Sequence, residues 1–308
     1  MPIQPVEKIW MDGKLVPWED AKVHVLTHAL HYGSGVFEGI RAYETSRGLP
    51  GIFRLTDHIR RLFRSAAVYM IEIPYSLDEL VEAAKDTVRA SGLKACYVRP
   101  IVYHGYGEMG LNPLYAPVNV AIGVWPWGTY LGDDCLENGA RLLISSWRRP
   151  DANVLPAQAK ATGQYINSGL AKVEAIKAGY DDAIMLSSDG DVAEGTGENL
   201  FIVRDGVLVT PPESAGILLG VNRDAAMTIA RDMGYEVVER KLLRADLYTA
   251  DEAFLTGTAA EVTPIREIDG RVLASNGRGP ITKEIQQTFF AAVKGDIDRY
   301  EPWVEYVE

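Results

Sequence analysis

The segment from Leu155 to Lys172 places one lysine, Lys160, just ahead of a predicted helix. Alanine, proline and glycine surround Lys160, and its neighbours in the sequence include no acidic residue. Apolar residues recur at helical spacing from Ile166 to Ile176, and Gly179 is placed to end the helix. A lysine whose charged form is poorly solvated loses its proton more easily, so it can act as a nucleophile or a base. Judged alone, Lys160 fits an ordinary solvated surface lysine better.

The composition is that of a soluble globular protein of about two domains, because 47% of the 308 residues are hydrophobic and 24% are charged. The net charge is −11, and the absence of a basic run argues against nucleic acid or an anionic membrane as the partner. Cys96 and Cys135 form no CxxC pair, which favours a reducing compartment. The first residues lack the apolar region of a signal peptide, so we expect a cytoplasmic protein.

Local signals predict the elements of the first half of the chain. Asp12 and Gly13 indicate a short hairpin, and Thr56 is a candidate cap for a helix that carries several arginines. An inward-facing arginine there would meet a carboxylate or a phosphate, whereas an outward-facing set would be a solvated basic surface. Ser76 and Glu79 form a capping box for a second helix that ends near Gly92.

Two apolar runs, 95–103 and 118–124, are typical of buried strands, and Arg99 in the first of them is costly to bury unless it is paired. His24, His28 and His31 alternate with Val and Leu. This alternation predicts a packed strand or loop. A metal site is the weaker interpretation, because acidic and cysteine co-ligands are missing nearby.

The second half of the chain predicts a meander of hairpins that turn at Asp-Gly pairs. Within it, residues 194–199 place two carboxylates among small residues, which suits close approach to a ligand, although a plain turn is the alternative. Gly220 opens a predicted helix that Gly234 ends, and a glycine before a helix can form an anion site. The segment 256–260 follows an apolar strand, and its backbone N–H groups and hydroxyls likewise suit an anion. A helix from about Ile281 to Val293 closes the chain.

The combination of one unusual lysine, buried arginines, two anion sites and a carboxylate in a glycine loop suits pyridoxal 5'-phosphate. The glycines near residue 35 are spaced GxGxxxG, which does not match the dinucleotide-binding fingerprint.

The chain also resembles the branched-chain amino acid aminotransferases, which are fold type IV (class IV) pyridoxal phosphate enzymes. The similarity runs nearly end to end and rests on several motifs in the same order. They are HALHYGSGVFEGIRAY (28–43), HIRRL (58–62), YVRP (97–100), PWGTYLG (126–132), AKATGQYINS (159–168), EGTGENLF (194–201), GVNRD (220–224) and TGTAAEVTP (256–264).

The resemblance implies an activity: transamination of leucine, isoleucine and valine with 2-oxoglutarate, in a ping-pong reaction through a Schiff base on Lys160. It also implies the cofactor contacts, with Glu194 at the pyridine nitrogen, Tyr165 at the phenolic oxygen and Arg61 at the phosphate. The full set of implied cofactor-binding residues is Arg61, Lys160, Tyr165, Glu194, Leu218, Gly220, Val221, Asn222 and Thr258. Asn222 replaces the threonine that is common in the family, so a hydroxyl contact there is in doubt, whereas Gln164 for asparagine matters less.

The implied substrate site must accept both an apolar side chain and the carboxylate of glutamate. Arg99 would bind that carboxylate, and backbone N–H groups at Thr258 and Ala259 would bind the α-carboxylate. The implied substrate-binding residues are Tyr32, Phe37, Gly39, Tyr97, Arg99, Met109, Leu111, Trp127, Tyr130, Thr258 and Ala259.

The expected fold class is α+β, with a small N-terminal α/β domain (1–125), an interdomain linker (126–135) and a larger β-rich pseudo-barrel domain with helices (136–308) that carries the lysine. The family forms homodimers, and some members form hexamers. The alternatives are a D-amino acid transaminase, an (R)-amine transaminase or an aminodeoxychorismate lyase of the same fold, or a non-catalytic ligand-binding relative.

Overall fold

The computed structural model describes residues 3–128 and 130–308, so Thr129 of the predicted linker lies outside the described residues. The chain divides into two compact units. The first contains the residues up to Trp127 together with Ala159–Gln164 and Ala291–Glu308. The second contains Gly128–Gln158 and Tyr165–Phe290.

Runs of one to four strands are separated by one or two helices along the described chain. Over the described residues the strands are β1 (Lys8–Met11), β2 (Lys14–Pro17), β3 (Gly35–Phe37), β4 (Ile40–Glu44), β5 (Pro50–Phe53), β6 (Cys96–His104), β7 (Val118–Trp125), β8 (Ala140–Arg148), β9 (Asp182–Leu186), β10 (Val192–Gly195), β11 (Asn199–Arg204), β12 (Val207–Thr210), β13 (Val237–Glu239), β14 (Glu252–Gly257), β15 (Glu261–Ile268), β16 (Arg271–Val272) and β17 (Val304–Tyr306). The α-helices over the same residues are α1 (His28–Tyr32), α2 (Leu55–Val68), α3 (Leu77–Ser91), α4 (Asp133–Asn138), α5 (Tyr165–Lys177), α6 (Val221–Asp232), α7 (Arg244–Tyr248) and α8 (Pro280–Val293).

The first unit is built on an antiparallel sheet in the order β17-β5-β4-β6-β7-β1-β2, with β3 paired to β6. Helices α2 and α3 share one apolar core with this sheet, to which Val98 and Val102 contribute fully buried side chains. Because side chains alternate along a strand, Tyr97 and Arg99 point to the opposite face of β6. The sheet thus separates its apolar core from the face that carries Arg99.

Two local predictions for the first unit need correction. Helix α2 begins at Leu55 rather than after a Thr56 cap, because the backbone N–H of Thr56 donates to Glu305 Oε1 at 2.7 Å and Arg54 takes a left-handed conformation (φ 51°). The histidine segment was predicted as a packed strand or loop: residues 23–27 form a loop, but Val25 in it is 70% exposed, and His28 and His31 lie in the short helix α1. The Ser76 capping box and the end of α3 at Gly92 are confirmed.

The second unit is built on a mixed sheet in the order β10-β9-β8-β15-β14-β11-β12-β13, with β16 paired to β15. The hairpins β9–β10 and β11–β12 occur as predicted, and α6 and α8 confirm the predicted helices. The hairpins do not form one continuous meander, because β9, β8, β15 and β14 separate β10 from β11 in the sheet. Helix α5 begins and ends as predicted. However, its apolar positions Ile166, Leu170, Val173 and Ile176 are 42–74% exposed, and its buried face is made of Ser168, Ala171 and Ala175.

The compact units differ from the predicted continuous domains in three places. Ala159–Gln164 and Ala291–Glu308 cluster with the first unit, although both lie within the predicted domain 136–308. The first of these segments, which contains Lys160, pairs with β3 through a bridge between Val36 and Ala161. The predicted linker 126–135 ends inside α4, where Cys135 is buried.

Among the described residues, the structure contains no helix with the length and hydrophobicity that a membrane span requires.

Candidate active site

The backbone of Lys160 is held by a helix and a strand of the first unit. Its N–H donates to Ser65 Oγ at 3.0 Å, and its carbonyl oxygen accepts from the N–H of Phe37 at 3.0 Å. Ser65 is fully buried on α2, and Phe37 ends β3. These contacts fix the chain on both sides of the lysine, so its side chain leaves a rigid support.

The aromatic ring of Phe37 lies between two cationic side chains. Lys160 Nζ is 5.1 Å from the ring centroid, and Arg99 Cζ is 4.8 Å from it. Both distances are within the range of a cation–π contact. The predicted site residues Phe37, Arg99 and Lys160 therefore come together around one ring.

Arg99 is surrounded by aromatic rings. Its Cζ lies 5.2 Å from the ring of Tyr97 and 5.6 Å from that of Trp125, and Tyr97 also contacts Trp127 at 4.8 Å between centroids. Arg99 Nε is buried and has no hydrogen-bond partner among the described residues. A Cβ on Gly39 would clash with the hydroxyl of Tyr97, so a larger residue there would displace the Tyr97 side chain. The rings stabilise the cation while leaving a donor for an anion.

The sequence left open whether an arginine of α2 faces inward to a carboxylate or a phosphate, or outward to solvent. In the structure, Arg61 contacts the carboxylate of Glu38. Its Nε and Nη2 donate to the two oxygens of Glu38 at 2.7 and 2.8 Å, and His58 Nδ1 lies 2.8 Å from Glu38 Oε2. Burial raises the pKa of Glu38, but Arg61 and His58 outweigh it, so the net pKa lies far below its usual range. Burial lowers the pKa of His58, more than Glu38 raises it. Glu38 is therefore ionised beside a neutral ring at neutral pH.

Three of the predicted substrate residues lie in a more open part of the first unit. Tyr32, Met109 and Leu111 are 44%, 46% and 87% exposed. His28 links their segments, because its ring lies 4.6 Å from that of Tyr32 and its Nε2 is 2.7 Å from the carbonyl oxygen of Gly110.

In the second unit, Glu194 at the end of β10 is held by three donors. Arg149 Nη2 lies 2.9 Å from Oε1, while Asn199 Nδ2 and the N–H of Leu218 donate to Oε2 at 3.0 and 3.1 Å. The residue is only 6% exposed, so the carboxylate is desolvated as well as oriented. Such an arrangement fixes the direction in which the carboxylate points.

The start of α6 lies beside the same carboxylate network. Gly220 precedes Val221, the first residue of the helix, and a Cβ on Gly220 would clash with Asn199 Oδ1. The side chain of Asn222 donates to the carbonyl oxygen of Gly257 at 2.9 Å, which ties the helix to the end of β14. A helix N-terminus presents backbone N–H groups and a partial positive charge, which suit an anion.

Four other predicted residues of the second unit are half-buried. Thr258 and Ala259 lie in the turn between β14 and β15, and Tyr165 begins α5. Tyr130 packs against the ammonium group of Lys172, with Nζ 5.0 Å from its ring centroid.

The second carboxylate of the glycine loop, Glu198, has a different environment from Glu194. Burial and the nearby charge of Asp182 raise the pKa of Glu198 to about 8, although Lys172 opposes the shift. Glu194, by contrast, is paired with Arg149 at 2.9 Å and accepts two further hydrogen bonds. The two carboxylates of one motif thus have different chemical properties.

Comparison with known proteins decides the family. Residues 35–268 match the model of the amino-transferase class IV family. The chain belongs to this family. Its membership confirms the predicted family and the α+β fold class.

Similar class IV aminotransferases cover the whole chain. The branched-chain-amino-acid aminotransferase of Pseudomonas aeruginosa is 48% identical over 96% of this chain and 95% of its own length. The enzyme of the same name from Escherichia coli K12 is 45% identical over 100% of this chain and 99% of its own length.

Solved structures give the same result. The crystal structure of the Escherichia coli branched-chain amino acid aminotransferase has a TM-score of 0.96 at 45% identity, covering 99% of this chain and 100% of that one. The T.th. branched-chain amino acid aminotransferase with pyridoxamine 5'-phosphate has a TM-score of 0.95 at 48% identity, covering 99% of each chain.

In this class IV aminotransferase, sequence reasoning missed the residues that contact the predicted ones. Glu38, Ser65, Arg149 and Asn199 hold Arg61, the Lys160 backbone and Glu194. Glu38 had a usable signal, because it is an acidic residue in an apolar strand region. Arg149 had none, since it follows Ser145, Ser146 and Arg148 in a stretch with no apolar pattern that predicts burial.

Proposed function

We propose that this protein transfers the amino group of leucine, isoleucine or valine to 2-oxoglutarate, giving branched-chain 2-oxo acids and L-glutamate. Family membership and 45–48% identity along the chain to branched-chain-amino-acid aminotransferases support this function, including the predicted transaminase activity. The observation that carries it is Lys160, held through its backbone by Ser65 and Phe37 with its ammonium group beside the Phe37 ring.

The residues present fit pyridoxal 5'-phosphate. Arg61, the N-terminus of α6 at Val221 and Asn222, and the hydroxyl of Thr258 are donors suited to a phosphate. Glu194 is a desolvated, oriented carboxylate suited to a protonated ring nitrogen. When bound, the cofactor supplies an electron sink for the pair left behind when the substrate Cα loses its proton.

Side chains of the protein transfer the substrate Cα proton and set the charge on the ring nitrogen of the cofactor. Lys160 Nζ, in its neutral form, removes the proton from the substrate Cα as a general base and later returns a proton as a general acid. The carboxylate of Glu194 would favour a positive charge on the ring nitrogen of the bound cofactor, and Tyr165 would lie beside its phenolic oxygen. Leu218 and Gly220 shape the wall near Glu194 and the helix terminus.

The substrate residues divide by chemistry. Tyr32, Phe37, Met109, Leu111, Trp127 and Tyr130 provide apolar surface for a branched side chain, with Gly39 and Tyr97 allowing close packing. Backbone N–H groups at Thr258 and Ala259 bind the α-carboxylate. Arg99 binds the distal carboxylate of glutamate and 2-oxoglutarate, which its buried Nε and aromatic surroundings support.

The role of Arg99 makes a prediction about specificity. Arg99→Ala should lower kcat/KM for 2-oxoglutarate by about 100-fold, because a charge-assisted hydrogen bond in a desolvated site is lost. The value for L-leucine should fall much less, since an apolar side chain makes no use of the charge. Steady-state kinetics with each substrate varied in turn would measure this. Equal losses for both substrates would remove Arg99 from the proposed role.

The absorption spectrum tests the function itself. The visible band of the purified holoenzyme should disappear when L-leucine is added and return with 2-oxoglutarate. D-Alanine and an (R)-arylalkylamine serve as comparisons, because a response to one of these alone would mean a different transaminase of the same fold. A chain that takes up no pyridoxal phosphate would contradict the catalytic proposal and favour a non-catalytic relative.

We further propose a cytoplasmic homodimer, on the basis of the free thiols Cys96 and Cys135 and of the apolar, exposed side chains of Met109 and Leu111. Sedimentation of the holoenzyme at several concentrations would test the assembly, and monomer mass throughout would contradict it. A hexamer made of three dimers would appear in the same experiment. Cell fractionation would test the location, and recovery outside the cytoplasmic fraction would contradict it.

A further inference from the structure

The most deeply buried charge of the first unit is a carboxylate for which the reaction scheme has no use. Glu38 is 0% exposed and lies between β3 and β4. Both of its oxygens contact Arg61, and one also contacts the ring of His58. The backbone N–H of Glu38 donates to the carbonyl oxygen of Pro100 at 2.9 Å, so its main chain is fixed to β6.

Stability is a poor explanation for such a pair. Removing two charges from water costs about as much as their attraction returns, and replacing a buried ion pair with apolar residues is often neutral or stabilising. The neutral ring of His58 leaves Glu38 and Arg61 as a one-to-one pair. A pair of this kind is better explained by what it does to the geometry of the arginine.

We propose that Glu38 is a positioning residue that holds the guanidinium of Arg61 in the orientation that receives the cofactor phosphate. The inference rests on the phosphate role proposed for Arg61. Glu38 uses the edge of the guanidinium formed by Nε and Nη2, and bidentate contact fixes both the plane and the rotation of the group. Because the guanidinium is planar, this contact also fixes the direction of its Nη1 donor.

Helix α2 connects this orientation to the lysine. His58, Arg61 and Ser65 follow one another at spacings of three and four residues, so they share one face of the helix. The first two contact Glu38, and the third holds the Lys160 N–H. One face of α2 therefore carries both the arginine that Glu38 holds and the serine that holds the lysine segment.

Two effects of Glu38 on a bound phosphate oppose each other. Its negative charge repels the phosphate, while its contacts remove the conformational freedom that Arg61 would otherwise lose on binding. The proposal requires the second effect to be larger. An experiment can decide between the two effects, because they predict opposite changes in the affinity for the phosphate when the charge of Glu38 is removed.

The experiment compares two ligands that differ only in the phosphate. The full-length apoenzyme is titrated with pyridoxal 5'-phosphate and with pyridoxal, and the ratio of the Kd for pyridoxal to the Kd for pyridoxal 5'-phosphate measures the phosphate contribution. Glu38→Gln should lower this ratio by about tenfold, through weaker binding of the phosphate form, while the Kd for pyridoxal changes less than about threefold. A general loss of structure would weaken both ligands together.

The matched control is Glu305→Gln. Glu305 also contacts α2, because its carboxylate accepts from the N–H of Thr56, but its partner is at the start of the helix. This variant should leave the ratio unchanged. In Arg61→Gln, which itself lowers the ratio, adding Glu38→Gln should have no further effect.

The outcomes separate the two proposals. An unchanged ratio in Arg61→Gln would refute the phosphate role of Arg61. A lowered ratio in Arg61→Gln with an unchanged or raised ratio in Glu38→Gln would overturn the role of Glu38, since repulsion would then dominate. If Glu38→Gln does not fold, Glu38→Asp keeps the charge but withdraws the carboxylate. It should lower the ratio by a smaller factor, and no change would overturn the proposal.

Discussion

Lys160→Ala should lower kcat for the transamination of L-leucine by about 10⁴-fold or more. In the proposed mechanism, this residue both holds the cofactor covalently and moves the Cα proton, and general acid–base catalysis alone contributes about 10²–10⁴-fold. The backbone contacts of residue 160 to Ser65 and Phe37 do not involve its side chain, so the alanine variant should fold. Steady-state turnover of L-leucine with 2-oxoglutarate would measure kcat.

Two controls make the result specific. Lys177→Ala removes a lysine from the last turn of α5 and should leave kcat unchanged. After borohydride reduction and denaturation, the wild-type chain should retain the cofactor and the Lys160→Ala chain should release it. Retention by the variant, or more than a tenth of the wild-type kcat, would be incompatible with the proposed role.

Glu194→Gln should lower kcat by about 10³-fold while the fold is kept. Removing one preorganised electrostatic partner from a desolvated site typically costs about 10²–10³-fold. The glutamine is isosteric, but it is neutral, so it can no longer favour a positive charge on the ring nitrogen. Arg149 would then be left without the charge that it contacts at 2.9 Å. Steady-state kinetics and the circular dichroism spectrum would be measured together.

A cofactor analogue can separate electrostatics from structure. A form methylated at the ring nitrogen carries its positive charge without help, so it should restore part of the activity of Glu194→Ala, which leaves room for the methyl group. Glu252→Gln is the matched control, because Glu252 is a buried carboxylate of the same unit that accepts from the N–H groups of Ile281 and Thr282. We expect that control to keep its kcat. A fully active Glu194→Gln variant would contradict the proposal.

Much of the fold follows from signals that act within a few residues. The Ser76 capping box, the end of α3 at Gly92 and the Asp-Gly hairpin at residue 12 occur where the sequence predicts them. Their hydrogen bonds join residues close in the chain, so side-chain chemistry alone decides them. The start of α2 was mispredicted because Thr56 pairs with Glu305, which is 249 residues away.

The candidate site was predictable at the level of motifs and less so at the level of contacts. Residue types and spacing indicated an unusual lysine, inward arginines and a carboxylate in a glycine loop, and the resemblance of the ordered motifs assigned these roles to Lys160, Arg61, Arg99 and Glu194. The sequence did not pair Arg61 with Glu38, because such a pairing depends on where a helix meets a strand. The roles assigned to the site residues Lys160, Arg61, Arg99 and Glu194 remain proposals.

The sequence by itself determined the family, the order of the elements and the presence of a lysine, arginines and a carboxylate suited to one cofactor. Only the tertiary structure decided which groups meet. Ala159–Gln164 joins the first unit because it pairs with β3 and Ser65, although the chain on either side belongs to the second unit. The apolar face of α5 is exposed rather than buried, because the side of the helix that packs carries alanine and serine. Periodicity shows that a helix has two faces, but only the neighbours in space determine which face is covered.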